Sequence, residues 1–230
     1  PPPPPQPLPV ALSHPRCGDG KCEPPETIES CFADCPGVTT PAMCGEEPHG
    51  DPGGEAVAWG LTHKTSSAAA CCEACAAHAA NPANAKKPCN SWVFCYMPQC
   101  WSLDTGHKHT FGECWLKWQV DKSHPLYGQR GRYSEEFRRR HRNAHKGGTN
   151  VDGSPRNLSV PSHVPWTGGV MGAVVDLSIR WETGPEGMTS SKGDSLVNWR
   201  AWESAEENKK RGVPSELMGG HAAFGDPPRR

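Results

Sequence analysis

The stretch SSAAACCEACAAHAAN at residues 66–81, followed by CNSWVFC at 89–95 and CWLKW at 114–118, decides the fold. The first segment has the composition of a helix, with Ser66 or Ser67 as its cap and Asn81-Pro82 as its stop. Cys71 and Cys75 stand four apart and share a helical face, whereas Cys72 points about 100° away. In the second segment Trp92 and Phe94 alternate with Ser91 and Val93, a strand signal, and CWLKW reads as a second strand. A helix with two same-face cysteines, followed by two strands that each begin with a cysteine, can be stapled flat onto a sheet.

Composition calls for such staples. The chain has 230 residues, a formal charge of -1, 12 cysteines, 25 prolines and 25 glycines. Leu, Ile, Val and Phe number 30, about 13 % of the chain, under the roughly 20 % needed for an ordinary core. A large doubly wound or barrel enzyme is therefore excluded. Full disorder is excluded as well, because the charge is near zero and nine tryptophans are present. Cross-links or metals must supply the missing cohesion. No apolar run approaches the roughly 20 residues of a membrane span. Pro1 opens no signal peptide, so the expectation is a mature or excised segment whose address signal lay upstream.

The cysteine count is even, and none follows Cys114. Zinc is the rival to disulfides, since Cys72-x-x-Cys75 with His107 and His109 supplies its ligand types. The adjacent pair Cys71-Cys72 and the proline-rich leader favour a secreted, disulfide-bonded protein instead. Asn157-Leu158-Ser159 is an N-glycosylation acceptor in agreement with that compartment.

The helix and its two strands resemble the PAN/Apple module, in particular the Apple-like domains of plant and green-algal extracellular, hydroxyproline-rich glycoproteins. The likeness is carried by CCEAC at 71–75, CNSWVFC at 89–95, ECWLK at 113–117 and VPWTGGVM at 164–171, the last matching a closing Trp-Thr-Ser/Gly-Gly-Val strand. The resemblance implies a small disulfide-rich α+β fold over about residues 40–176, with an antiparallel sheet cradling one helix. It implies Cys75–Cys89 and Cys71–Cys114 as helix-to-sheet bridges. Cys95–Cys100 would then close a local hairpin, and Cys44–Cys72 would tie down the first strand.

Upstream, PPPPPQPLPVALSHP at 1–15 reads as a stiff polyproline II stalk or an extended linker. RCGDGKCEPPETIESCFADCP at 16–36 holds four cysteines in too short a span for a core. It resembles CGDGxC four-cysteine knots of secreted proteins, some of which look like calcium-binding loops. Asp19, Glu26, Glu29 and Asp34 are the candidate calcium ligands, against the alternative that they cap turns and face water. Four cysteines allow three pairings, and the interleaved pair Cys17–Cys31 and Cys22–Cys35 is the expected one.

Residues 119–163 depart from the family as a long cysteine-free insertion. Within it, residues 129–146 carry seven Lys/Arg against two Glu, a local charge of about +5 that is not averaged away within a Debye length of roughly 8 Å. Ser134 and Phe137 mark the start of a short basic helix, and Gly147-Gly148 its end. Arg138, Arg139, Arg140 and Arg142 are the candidate anion-binding residues, the alternative being a solvated insertion. Residues 177–230 read as a C-terminal extension with a helix over about 194–211, capped by Asp194 or Ser195 and striped by Leu196, Trp199, Trp202 and Ala205. That stripe packs on its own protein or docks a partner.

No nucleophile–base pair, GxSxG, HExxH, P-loop or GxGxxG occurs, so nothing in the sequence points to an enzyme. His107 and His109 fall in a loop and are expected to be exposed and idle. The reading is a secreted, non-catalytic adhesion or assembly module binding glycans or glycoproteins in a cell wall, matrix or ciliary coat. Its expected partners are other extracellular glycoproteins or acidic polysaccharide, and not nucleic acid. Trp101 and Trp118 are candidates for stacking on sugar rings, whereas Trp92 and Trp115 flank cysteines and belong to the core. Two other classes remain: a structural filament or wall subunit docked through the stalk and the Trp199–Trp202 helix, and an accessory domain of a secretory-pathway glycosyltransferase acting on hydroxyproline-rich proteins.

Overall fold

A computed structural model describes residues 37–104, 106–185 and 187–197. The stalk, the four-cysteine knot with its calcium candidates, and the chain from Asn198 onward, including Trp199 and Trp202, lie outside the described residues. In chain order the elements are β1 (Glu46–Glu47), β2 (Gly50–Pro52), β3 (Glu55–Ala58), α1 (Ala68–Ala80), β4 (Ser91–Cys95), β5 (Gln99–Cys100), β6 (His109–Thr110) and β7 (Cys114–Trp118). Then follow β8 (Tyr127–Arg130), β9 (Arg132–Tyr133), α2 (Glu135–Arg140), β10 (Lys146–Thr149), β11 (Pro155–Asn157), β12 (Trp166–Val170), β13 (Trp181–Thr183), β14 (Gly187–Ser190) and β15 (Ser195–Val197).

The expected helix and strands form where the pattern puts them. The Ser67 hydroxyl caps α1 by accepting from the Ala70 N–H at 3.1 Å, and Asn81 ends it. The central sheet has the order β1-β12-β4-β7-β3, antiparallel throughout. Every residue of β4 and β12 is buried, because both faces of the sheet are covered. Gly169 lets β12 pass beneath the preceding loop: a Cβ there would overlap the Cys44 carbonyl oxygen and crowd the Trp92 indole nitrogen.

Period-two alternation divides the interior into two cores. On one face Trp92, Phe94, Cys114 and Leu116 meet α1 and its half-cystines. On the other, Val93, Cys95, Trp115 and Trp166 meet Trp101, Tyr133, Phe137, Val160 and Val164. Four disulfides form, Cys44–Cys72, Cys71–Cys114, Cys75–Cys89 and Cys95–Cys100; the second and third are the helix-to-sheet bridges that the family resemblance implies. There are no free cysteines among the described residues. The zinc alternative is thereby excluded for Cys72 and Cys75. The whole is a small disulfide-rich α+β protein in which sheet predominates.

Three expectations need correction. Residues 119–163 are not a detachable insertion, since Tyr127, Tyr133, Phe137 and Val160 are buried and the last three complete the second core. The basic helix ends at Arg140 with His141 as its C-cap, and Gly147-Gly148 lie within β10. The C-terminal helix does not start at Asp194: Ser195–Val197 is strand β15, with Leu196 opposite Met188. The reason is a hairpin turn. Gly193 adopts φ +91°, the Asp194 carboxylate is bonded to the Ser190 hydroxyl at 2.8 Å, and the Ser190 N–H donates to the Asp194 carbonyl. The strands assigned to a C-terminal extension and the supposed insertion share one sheet, β15-β14-β13-β9, whose β9–β13 pair is parallel.

Candidate functional site

The four arginines of the basic stretch are exposed, as a binding role requires. They are brought together by the residues they flank. Phe137 and His141, four apart, turn toward the second core, where Phe137 stacks on Tyr133 at 4.7 Å and lies 4.4 Å from the His141 ring. Arg138, Arg139 and Arg140 at the end of α2 and Arg142 in the turn that follows form an exposed basic rim. Asn157, the last residue of β11, is exposed and open to modification.

The tryptophan candidates fare differently. Trp101 is 1 % exposed and no sugar can reach it. Its ring is caged edge-on by Tyr133, Phe137, His141 and His145 at 5.4–6.1 Å, because Cys95–Cys100 pulls its segment inward. Trp118 is half-buried, with the Lys87 ammonium 5.7 Å over its ring. Trp92 and Trp115 are core residues, as expected.

The HKH loop departs most from its reading. His107 is half-buried and bonds to Asp104, but His109 is buried and belongs to a charged cluster. Its Nδ1 lies 2.8 Å from Glu113 Oε2, and its Nε2 lies 3.8 Å from Asp104 Oδ2. Burial alone would lower the His109 pKa, yet the nearby Asp104 carboxylate and the hydrogen-bonded Glu113 carboxylate outweigh it and bring it up to about 9. Burial also works against the Asp104 carboxylate, but the neighbouring His109 ring and hydrogen bonds from His107 and the Gly106 N–H hold it well below the usual carboxylate range. The spacing His109-x-x-x-Glu113 was the available signal. Beside this cluster Lys117, also buried, pairs with Asp51 at 2.9 Å and donates to the Pro52 carbonyl at 2.6 Å. With these charges paired off, the cluster clamps the β5–β6 hairpin to the sheet.

A groove that the sequence reading missed lies between the β1–β2 turn, the β8–β9 corner and the chain leading into β13. Its volume is about 290 Å³, at the lower edge of small-molecule sites. Leu177, Ile179 and Trp181 supply apolar walls, and Arg132, Arg180 and His163 supply polar ones. Gly131 makes the corner possible: its φ is +66°, and a Cβ there would overlap the Trp181 carbonyl oxygen. Across the groove His49 holds φ +59°, the one non-glycine residue with positive φ among those described. Its carbonyl accepts from Gly131 N–H at 2.8 Å, and its ring lies 4.9 Å from that of His163.

A buttress backs this wall. The Arg130 guanidinium is sandwiched 4.0 and 3.9 Å from the Tyr127 and Trp181 ring centres. It also forms a bidentate pair with Glu47 at 2.7 Å.

No family model matches the chain, and no curated protein or solved structure shows significant similarity to it. Among the described residues there is no cluster of three or more His, Cys, Asp or Glu arranged to hold a metal. No helix among them is long and apolar enough to cross a membrane.

Proposed function

We propose that this chain is a non-catalytic extracellular module, built on a PAN/Apple-like domain, that binds glycans or glycoproteins. The observation that carries this reading is the 290 Å³ groove, whose apolar walls are edged by Arg132 and Arg180 together with Glu47 and Asp176. Such a lining suits sugar rings, which offer flat C–H faces to apolar side chains and polar edges to guanidinium groups. Four disulfides and the absence of a membrane-spanning helix among the described residues are compatible with secretion. The disulfides also favour binding physically, because a surface held rigid before the ligand arrives loses little ordering entropy on association. The exposed Arg138–Arg142 rim adds long-range attraction for acidic partners. The secreted address, the PAN/Apple relationship and the lack of catalysis all belong to this proposal.

A glycan array probed with the full chain tests it. Binding to at least one glycan class supports the reading. No binding to any glycan overturns it in favour of a structural subunit. A variant with Arg138, Arg139, Arg140 and Arg142 all changed to alanine separates the two surfaces. Unchanged binding would leave the groove as the site and remove the basic rim from the account.

A further inference from the structure

We infer that the groove selects a carboxylate-bearing sugar, a hexuronate unit of an acidic polysaccharide, with Arg180 as the carboxylate partner. This inference rests on the glycan-binding reading above and narrows it to a ligand class. It follows from an account of charge around the groove. Glu47 is neutralised by its bidentate pair with Arg130, Asp176 by Lys192 at 2.8 Å, and Arg132 by Glu182 at 3.0 Å. Arg180 also lines the groove and is exposed, and its guanidinium pairs with no carboxylate among the described residues. The backbone around it is fixed: Arg180 N–H donates to the Ser191 hydroxyl at 3.1 Å, and its carbonyl accepts from Ser191 N–H at 2.7 Å. An arginine that lines the groove on a fixed backbone, unpaired with any carboxylate among the described residues, leaves the site one positive charge in excess.

The size and count of charges choose among anions. The volume admits on the order of one or two sugar rings. A planar guanidinium fork matches one carboxylate bidentately, and a uronate ring carries one. Heavily sulfated chains bring several anionic groups per disaccharide, and the Arg138–Arg142 rim, not a groove with a single spare cation, meets that demand. Leu177, Ile179 and Trp181 would contact the ring faces while Arg180 takes the carboxylate at the edge.

The test is isothermal titration of the full chain with short oligogalacturonate, its fully methyl-esterified counterpart and a heparin fragment. The probes are run against wild type, Arg180→Ala, Arg180→Lys, Leu177→Asp and the four-arginine alanine variant. Oligogalacturonate is expected to bind in a salt-dependent manner. Arg180→Ala and methyl esterification are each expected to weaken binding at least about tenfold. Arg180→Lys should recover part of the loss, and the four-arginine variant, which removes only long-range attraction, should weaken binding by less than Arg180→Ala does. Leu177→Asp should abolish binding while leaving the melting temperature unchanged.

Equal binding of the ester, or indifference to Arg180→Ala, would overturn the inference. So would a neutral glycan or heparin occupying the groove, or self-association that Leu177→Asp abolishes, which would assign the surface to a second copy. Those outcomes differ from silence on the whole glycan array. A neutral ligand keeps the module a glycan binder and removes only its preference for uronate, whereas silence removes the glycan-binding reading itself.

Discussion

On the helix side of the central sheet, six of the ten buried residues in the core are half-cystines, and three disulfides run from α1 to the structure around it. On the other side a single disulfide closes a separation of five residues, and the packing is done by the rings of Trp101, Trp115, Tyr133, Phe137 and Trp166. The helix side is bound covalently across long loops and needs few aliphatics. The ring side is bound by area, at about 25 cal/mol per Å² of apolar surface removed from water, and it is this side that carries the β8–β9 corner of the groove. A chain short of Leu, Ile and Val has thus reached two cores by two routes.

The largest expected effect comes from breaking the longest covalent staple. Changing Cys71 and Cys114 together to alanine should cost about 4 kcal/mol, because their bridge closes a separation of 43 residues. Urea unfolding of the double variant measures it. On the ring side, Phe137→Ala should cost about 3 kcal/mol, since the side chain is 0 % exposed and stacked on Tyr133. That variant should lose near-ultraviolet circular dichroism from the Trp101 cage while far-ultraviolet signal persists. Removing Cys95 and Cys100 together should cost less, about 2 kcal/mol, in keeping with the short loop they close.

The helix side was the legible one. Cysteine spacing, the Ser67 cap and the alternation of Trp92 with Phe94 are local signals, and a disulfide pattern records long-range contact in a form that the sequence displays. The ring side was read poorly because its contacts join distant segments that announce nothing to one another. Trp101 looked like a surface ring but is enclosed by Tyr133, Phe137, His141 and His145, residues assigned to an insertion. Ser195 looked like a helix cap, yet pairing of Leu196 with Met188 draws it into a strand. The groove was illegible for the same reason: its walls come from residues near 48, 131 and 180, and only the fold makes them neighbours.

A smaller effect distinguishes the two sides by pH. His109, raised to about 9 by its carboxylate partners, has an unfolded pKa near 6.5. Its stabilisation is therefore complete below about pH 6.5 and is lost as pH rises through about 9. Asp104, held low, contributes above its unfolded value near 3.9 and loses that contribution in acid. Thermal melts should show stability greatest between about pH 4 and 6.5 and falling by about 1 kcal/mol or more toward pH 9, a few degrees of Tm. His109→Gln should flatten the alkaline limb, whereas the Cys71–Cys114 variant should keep it. Smallest of all, alanine at Arg138 or Arg139 should change stability by less than about 0.5 kcal/mol, since both side chains are exposed.

The difference between the two sides depends first on which sulfurs are joined. Stepwise reduction of the native protein with tandem mass spectrometry of the resulting peptides reads that directly. The account predicts Cys71 joined to Cys114, Cys75 to Cys89, Cys44 to Cys72 and Cys95 to Cys100. Free thiols at these positions, bound zinc, or a different set of partners for Cys71 and Cys75 would contradict it.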